Sequence, residues 1–350
     1  MARYGLDEAS GPRIVKELNV ADLPRACVTR LRLVIVHDGL GDPMYMPALV
    51  MRGKKDGPVF GLTAAIHGNE LNGIPVIHQL FRKLDCNQLR GTLVAIPVVN
   101  IPGYHEKQRF FNDGIDLNKI MPGDPKGSIS QIYAHHFAQK VVRHFDYLVD
   151  LHTASFGRIN SLYVRADMTH ETTAAMALLQ RPQIILHNSP SDGTLRGHAM
   201  ALGIPAITLE IGNPHLFQPE YIRRSLVGLK AVLGEVGMIP KRTRASGPPP
   251  VLCSRSYWVY SDHGGLLEVA PGVTQEVEKG EVVAQISNIY GDLIHEYRSQ
   301  DSGVVIGKST NPAGQTGARI IHLGIRASME ECNQFCLQPR VHSKSGTHPE

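Results

Sequence analysis

Nothing in this chain supplies a disulfide framework, a membrane span or a surface of one charge. Its five cysteines, Cys27, Cys86, Cys253, Cys332 and Cys336, are odd in number and irregular in spacing, as where thiols stay reduced. Cys332 and Cys336 stand one helical turn apart and read as a free pair rather than as metal ligands. No stretch stays apolar for the roughly 18 residues that a membrane-crossing helix requires. The opening MARYGLDEASGPRIVKELNV has no apolar core of signal-peptide type, so a soluble cytoplasmic protein without membrane contact is expected. The formal charge is only +4 over 350 residues, and the basic runs at 52–55 and 241–244 are short and lack interleaved aromatics. They read as solvated loops, and nucleic acid is not an expected partner. No internal repeat is evident.

What the chain does have is length for more than one unit and the composition of a soluble globular protein, 42% apolar and 19% charged. Between about residue 45 and 212, short β-branched or apolar runs alternate with longer helix-like stretches, the signature of a mixed, largely parallel sheet flanked by helices. The runs PVFGLTAAI, GTLVAIPVVN, YLVDLH, QIILHN and AITLEIG read as strands. ELNGIPVIHQLFRKL, SISQIYAHHFAQKVVRHF and PEYIRRSLVGLKAVLGEVG repeat apolar side chains at three- and four-residue steps and read as helices. The segment KRTRASGPPP suits neither a helix nor a central strand. It divides an α/β unit over 1–243 from a smaller all-β unit over 251–330, whose short strands are broken by Gly and Asp turns. Residues 331–350 read as a tail.

The chemistry gathers in the first unit. In GLTAAIHGNELNG, His67 and Glu70 fall where a buried strand breaks into a helix, with Gly68 between them permitting an unusual turn. The triplet DLH ends another apolar strand, so His152 emerges at a C-terminal strand edge, where open α/β sheets place their sites. His67, Glu70 and His152 are the three-ligand set of a catalytic zinc, with the fourth position left for water. The H-x-x-E pair alone says little in a chain with 17 histidines. The weight comes from its company: R-F-F-N-D-G-I-D-L-N-K at 109–119, D-L-H at 150–152 and T-L-E-I-G at 208–212, in one order within one α/β unit. Glu210, set in an apolar strand, is costly to bury without a function.

In these motifs the chain resembles the succinylglutamate desuccinylase and aspartoacylase family, itself related to the zinc carboxypeptidases, over roughly residues 45–330. The resemblance implies a zinc-carboxypeptidase-like catalytic domain followed by a β barrel-sandwich domain. It implies one zinc ion per chain on His67, Glu70 and His152, with Glu210 as general base and Arg109 stabilising the oxyanion. Asp116 matches the residue that supports the first zinc-bound histidine. Asn118 and Lys119 match a pair that is usually Asn-Arg in the family and grips a substrate carboxylate. Lysine offers a point charge where arginine offers a fork, so carboxylate recognition is either looser here or directed at another group. Arg196 falls where a second substrate-binding arginine sits, a surface helix charge being the other reading. The activity implied is hydrolysis of the linear, non-peptide amide bond of a small N-acyl amino acid or related N-acyl compound. Members of the family are often oligomeric, which leaves a homo-oligomer open.

Plainer readings stand beside these. His78, His135, His136, His187 and His322 read as structural or exposed. His215, Tyr104 and His105 lie near the expected pocket, and Tyr257 and Tyr260 read as packing between the two units. Two other functions deserve weighing: a carboxypeptidase acting on peptides, and a non-catalytic zinc-binding or carrier protein. A swinging-arm carrier presents a modified lysine at a hairpin tip, but Lys279 sits in E-V-E-K-G-E-V-V, an ordinary turn. Intact Glu210 and Arg109 argue against a protein that binds zinc without using it.

Overall fold

A computed structural model of the chain describes residues 11–155, 157–241, 248–328 and 330–331. Most of the linker at 241–250, nearly all of the tail at 331–350, and Cys332 and Cys336 lie outside the described residues. One 14-stranded mixed sheet forms the backbone of the molecule. At its centre Arg90–Ile96, Lys55–Ala64, Tyr147–His152 and Ala206–Ile211 lie side by side and parallel. The antiparallel pairs flank this centre. Cys27–His37 and Pro43–Arg52 form a long antiparallel ribbon on one side. On the other, Leu162–Ala166 runs antiparallel to Ala206–Ile211 and is followed by Ile184–His187. The alternating-unit expectation therefore holds for the middle of the sheet and misses the ribbon ahead of it.

Side chains alternate across the sheet, so each central strand feeds two cores. Leu93, Ala95, Val149, Leu151, Ile207 and Leu209 join the core under the helices Gly73–Lys83, Glu171–Gln180 and Pro219–Glu235. Val94, Ile96, Leu148 and Ala206 face the opposite core, with Tyr133 and Phe137 of helix Ile129–Lys140 and with Leu195 and Ala199 of the short helix Leu195–Ala201. The expected helix at 128–145 ends at Lys140, and a 3-10 turn over Val142–His144 carries the chain into the next strand.

The sheet does not stop at the linker. Val251–Tyr260 pairs parallel with Ile184–His187, and Arg319–Arg326 and Gly303–Ser309 continue the same sheet. A separate four-stranded antiparallel sheet, ordered Leu293–Arg298, Val282–Ser287, Gly265–Val269 and Ala313–Gly314, packs its own core around Leu267, Val283, Ile286 and Leu323. Among the described residues, no helix is long and apolar enough to cross a membrane.

Candidate active site

Two strand ends and one loop build the site. The strand Lys55–Ala64 stops at Ala65, which adopts a left-handed φ of 49°, a conformation costing an L-residue roughly 1 kcal/mol. Backbone N–H groups of Val99 and Asn100 donate to the carbonyls of Ala64 and Ala65 and hold the turn. The special dihedral thus belongs to Ala65, while Gly68 answers a demand for space: a Cβ there would stand 2.0 Å from the carbonyl carbon of Gly103. The chain then turns back, Glu70 N–H donating to the His67 carbonyl. Asn72 ties this turn to the end of the Glu210 strand, donating to the Ile211 carbonyl at 2.7 Å. His152 closes its own strand, and the parallel register sets it beside Glu210.

The three expected ligands converge. His67 and His152 are each 3% exposed and Glu70 is 1% exposed, and their ligand atoms all lie within 4.8 Å of one another. Asp116 Oδ1 lies 3.0 Å from His67 Nε2, and Asp150 Oδ2 lies 2.6 Å from His152 Nε2. Each carboxylate claims the outer ring nitrogen and so directs Nδ1 of each imidazole inward, as a carboxylate behind a metal-binding histidine does when it fixes the ring's tautomer. Asp150 is in turn held by Thr63 Oγ1 at 2.6 Å. His67 Nδ1 is buried without a hydrogen-bond partner, although it lies 2.9 Å from Glu70 Oε1: the distance is short but the direction is wrong for a hydrogen bond. Two inward ring nitrogens, one of them orphaned, and a carboxylate make a donor set that fits zinc.

Burial and neighbouring charges compete over the titration of these groups. Burial opposes ionisation of Glu70, but His67 and His152 outweigh it and bring its pKa well below the usual carboxylate range. Burial likewise opposes charging of His152, and Asp150 and Glu70 more than compensate. Asp116 is lowered as well, with His67 and Arg109 overcoming its burial. Glu210 goes the other way: burial, reinforced by Glu70, raises it against the pull of His152 and Arg165.

Arg109 reaches into the same cluster. Its Nε and Nη2 donate to Asp116 Oδ2 at 3.0 and 2.9 Å, and its Nη1 donates to Glu70 Oε1 at 3.1 Å and to Ser155 Oγ. Ser155 Oγ and Thr153 N–H donate to Glu70 at 2.7 and 3.1 Å. Glu210 accepts from Asn160 Nδ2 at 3.3 Å and lies 3.7 Å from Arg165 Nε.

Asn118 and Lys119 lie beside the start of the helix that carries Arg196. Asn118 spends its side-chain oxygen on the Leu195 N–H at 2.8 Å, and Lys119 is exposed at the end of a 3-10 turn. Arg196 is not a surface helix charge: it is 1% exposed, paired with Asp192 and bonded to the carbonyls of Asn188 and Ser189. His215 sits at a left-handed φ of 59° beside Asn69. Tyr104 and His105 end the short helix Ile101–His105. Tyr257 donates to Asp301, and Tyr260 accepts from Arg319 at 3.4 Å. His136, His187 and His322 have partners in the Ile35 carbonyl, the Met168 N–H and Ser256.

Sequence reasoning missed Asp150, Thr63, Ser155, Asn160, Tyr163 and Arg165. Asp150 was within reach, since it stands two residues before His152 on the same strand and so on the same face. A second group, Asp262, His263 and His295, lies on the surface of the last region. Its imidazoles stack at 4.8 Å with only 16° between their planes, so their lone pairs run alongside each other instead of converging on one ion.

A mixed α/β sheet with a buried His-Glu-His group at its strand ends is the frame of this site. Residues 56–236, just over half of the chain and including every site residue above from His67 to Glu210, match the model of the succinylglutamate desuccinylase/aspartoacylase catalytic domain. The chain belongs to that family. It is 26% identical over 290 residues to an N-alpha-acetyl-L-2,4-diaminobutyric acid deacetylase of Halomonas elongata, an alignment covering 79% of this chain and 84% of that one. Among solved structures, the product-bound ectoine utilization protein EutE from Ruegeria pomeroyi superposes with a TM-score of 0.79 at 21% identity, over 89% of this chain and 99% of that one. A succinylglutamate desuccinylase/aspartoacylase from Rhodobacter sphaeroides does so with a TM-score of 0.78 at 22% identity, over 89% and 100%. Both structures share the fold.

Proposed function

We propose that this protein is a zinc-dependent deacylase that hydrolyses the amide bond of a small N-acyl amino acid or a related N-acyl compound. Membership of a family of deacylases supports amide hydrolysis. The observation that carries the finer reading is the orphaned, inward-facing Nδ1 of His67 beside Glu70 and His152, with the buried Glu210 carboxylate on the adjoining strand.

His67, Glu70 and His152 would hold the zinc, which when bound supplies Lewis acidity towards the acyl carbonyl and lowers the pKa of a water molecule. Glu210 Oε takes the proton of the attacking water and delivers it to the leaving nitrogen, so the amine departs neutral. Arg109 presents positive charge to the oxyanion that develops on the acyl oxygen. Four of its five N–H donors are engaged by Asp116, Glu70 and Ser155, which fixes the guanidinium in place. Asp116 and Asp150 orient the two imidazoles from behind.

The test joins metal analysis to an amine-release assay over N-acyl amino acids and N-acyl diamines. About one zinc per chain is expected, and the Glu210→Gln variant should keep that metal while losing turnover by on the order of 100-fold or more. No metal in the wild type, or undiminished turnover in the variant, overturns the reading.

A further inference from the structure

Four arginines come near the site, and three are hydrogen-bonded to carboxylates or spent on packing. Arg109 is matched by Glu70 and Asp116. Arg196 is buried against Asp192. Arg319 belongs to the last region, where it lies over the Trp258 ring at 5.2 Å. Arg165 differs. It stands on the strand Leu162–Ala166, directly across from Thr208, while its neighbour Tyr163 pairs with Glu210. Residues two apart share a face, so Tyr163, Arg165 and Glu210 all present their side chains to the same side of the sheet.

The hydrogen bonds of Arg165 go to neutral groups, and it also forms an ion pair with Glu210 at 3.7 Å. Nε and Nη2 donate to the Tyr163 hydroxyl at 3.2 and 2.8 Å, and Nη1 donates to Asn188 Oδ1 at 3.2 Å. Both acceptors are uncharged. The guanidinium also lies over the Tyr163 ring at 5.3 Å. The ion pair with Glu210 includes no hydrogen bond. Of five N–H donors, three are used, so two meet no acceptor among the described residues. The side chain keeps 29% of its surface open. A fixed, partly open guanidinium with one spare donor on each terminal nitrogen, beside the general base, has the chemistry of a carboxylate receptor.

We propose that Arg165 is the specificity-determining residue of this site and binds the carboxylate of an N-acyl α-amino acid through its two unspent N–H donors. This rests on the deacylase reading above and gives it a substrate class. An α-carboxylate is separated from the amide nitrogen by one carbon, so a receptor next to the group that protonates that nitrogen is in the right neighbourhood. Lys119, exposed on its turn, and Arg196, consumed by Asp192, are then not needed for this contact.

The experiment pairs an N-acetyl α-amino acid with its neutral α-carboxamide, in the zinc-loaded full-length protein, for wild type, Arg165→Gln and Arg165→Lys. Turnover is measured as KM and kcat separately, and binding of the free amino acid and its amide is measured by calorimetry. Zinc content and thermal melting establish that the variants are folded. The expected result is a loss of kcat/KM and of binding on the order of 10- to 100-fold for the carboxylate compounds in Arg165→Gln. Most of the loss specific to the acid should lie in KM, the carboxamide should lose at least several-fold less than the acid, and Arg165→Lys should recover part of the loss by its charge. Equal losses on both compounds mean that Arg165 acts only by steadying Glu210, and the proposal fails. It fails equally if wild type does not discriminate between the acid and the amide. A wild type that binds by charge in an Arg165-dependent way but releases no amine supports Arg165 as the receptor and overturns the deacylase reading instead.

Discussion

Asp150 shows how the site depends on single side chains that never face the substrate. It is buried, accepts from Thr63 and grips the outer nitrogen of His152 at 2.6 Å. Replacing it by Asn keeps the shape but removes the charge that holds the imidazole with Nδ1 inward. Metal affinity in Asp150→Asn should fall by roughly 10- to 100-fold, measured by competition against a chromophoric chelator, with the fold retained by circular dichroism. Unchanged affinity would mean that the pairing is incidental to ligation. The triplet D-L-H carried this information, because period-two spacing puts Asp150 on the face of His152. Arg165 carried none: its meaning depends on a strand pairing with residues more than forty positions away, and no local pattern in YVRA announces that pairing. Arg109, Glu210 and the three proposed ligands were legible for the opposite reason, since each lies in a short motif whose order along the chain is itself the signal.

At the level of elements, the ribbon Cys27–His37 with Pro43–Arg52 was the part least anticipated, although CVTRLRLVIVH alternates clearly. Alternating strand and helix units imply a parallel sheet, and nothing in them requires an antiparallel ribbon at its edge. The turn after Lys55–Ala64 was anticipated in place but not in cause. Because a Cβ at position 68 would stand 2.0 Å from Gly103 C and 2.2 Å from Tyr104 N, the backbone of the short helix Ile101–His105 must move in Gly68→Ala. That helix leads into the loop carrying Arg109, so the shift reaches the Glu70 carboxylate. A loss of about 2 kcal/mol in unfolding free energy is expected by chemical denaturation, with a fall in metal affinity. A variant as stable as wild type would show that the two backbones separate freely. Ala65→Gly is the converse case, since glycine adopts the left-handed φ without strain but gains entropy in the unfolded chain, so its stability should change by less than about 1 kcal/mol.

Across the whole molecule, one sheet joins the catalytic strands to the last region, and His322 sits at the join. It pairs across from Trp258, whose ring it stacks on at 5.0 Å and 10°, and it meets Tyr163 of the first region edge-on at 6.4 Å. Burial first, and then the charges of Arg165 and Arg319, hold its pKa well below that of a free histidine. A histidine kept neutral in the fold gives stability that is complete above its unfolded pKa, near 6.5, because only the unfolded chain takes up the proton below that value. Each pH unit below it then costs up to about 1.4 kcal/mol. Since the sheet is shared, that loss should fall on the entire molecule as one transition and not on the last region alone. Denaturant midpoints for wild type and His322→Gln, followed from pH 8 to pH 5, isolate the effect: wild type should lose more stability than the variant below about pH 6.5. Parallel curves would show that His322 is protonated in the fold. Two separate transitions, with only one sensitive to the substitution, would show that the continuous sheet does not make the two regions unfold together.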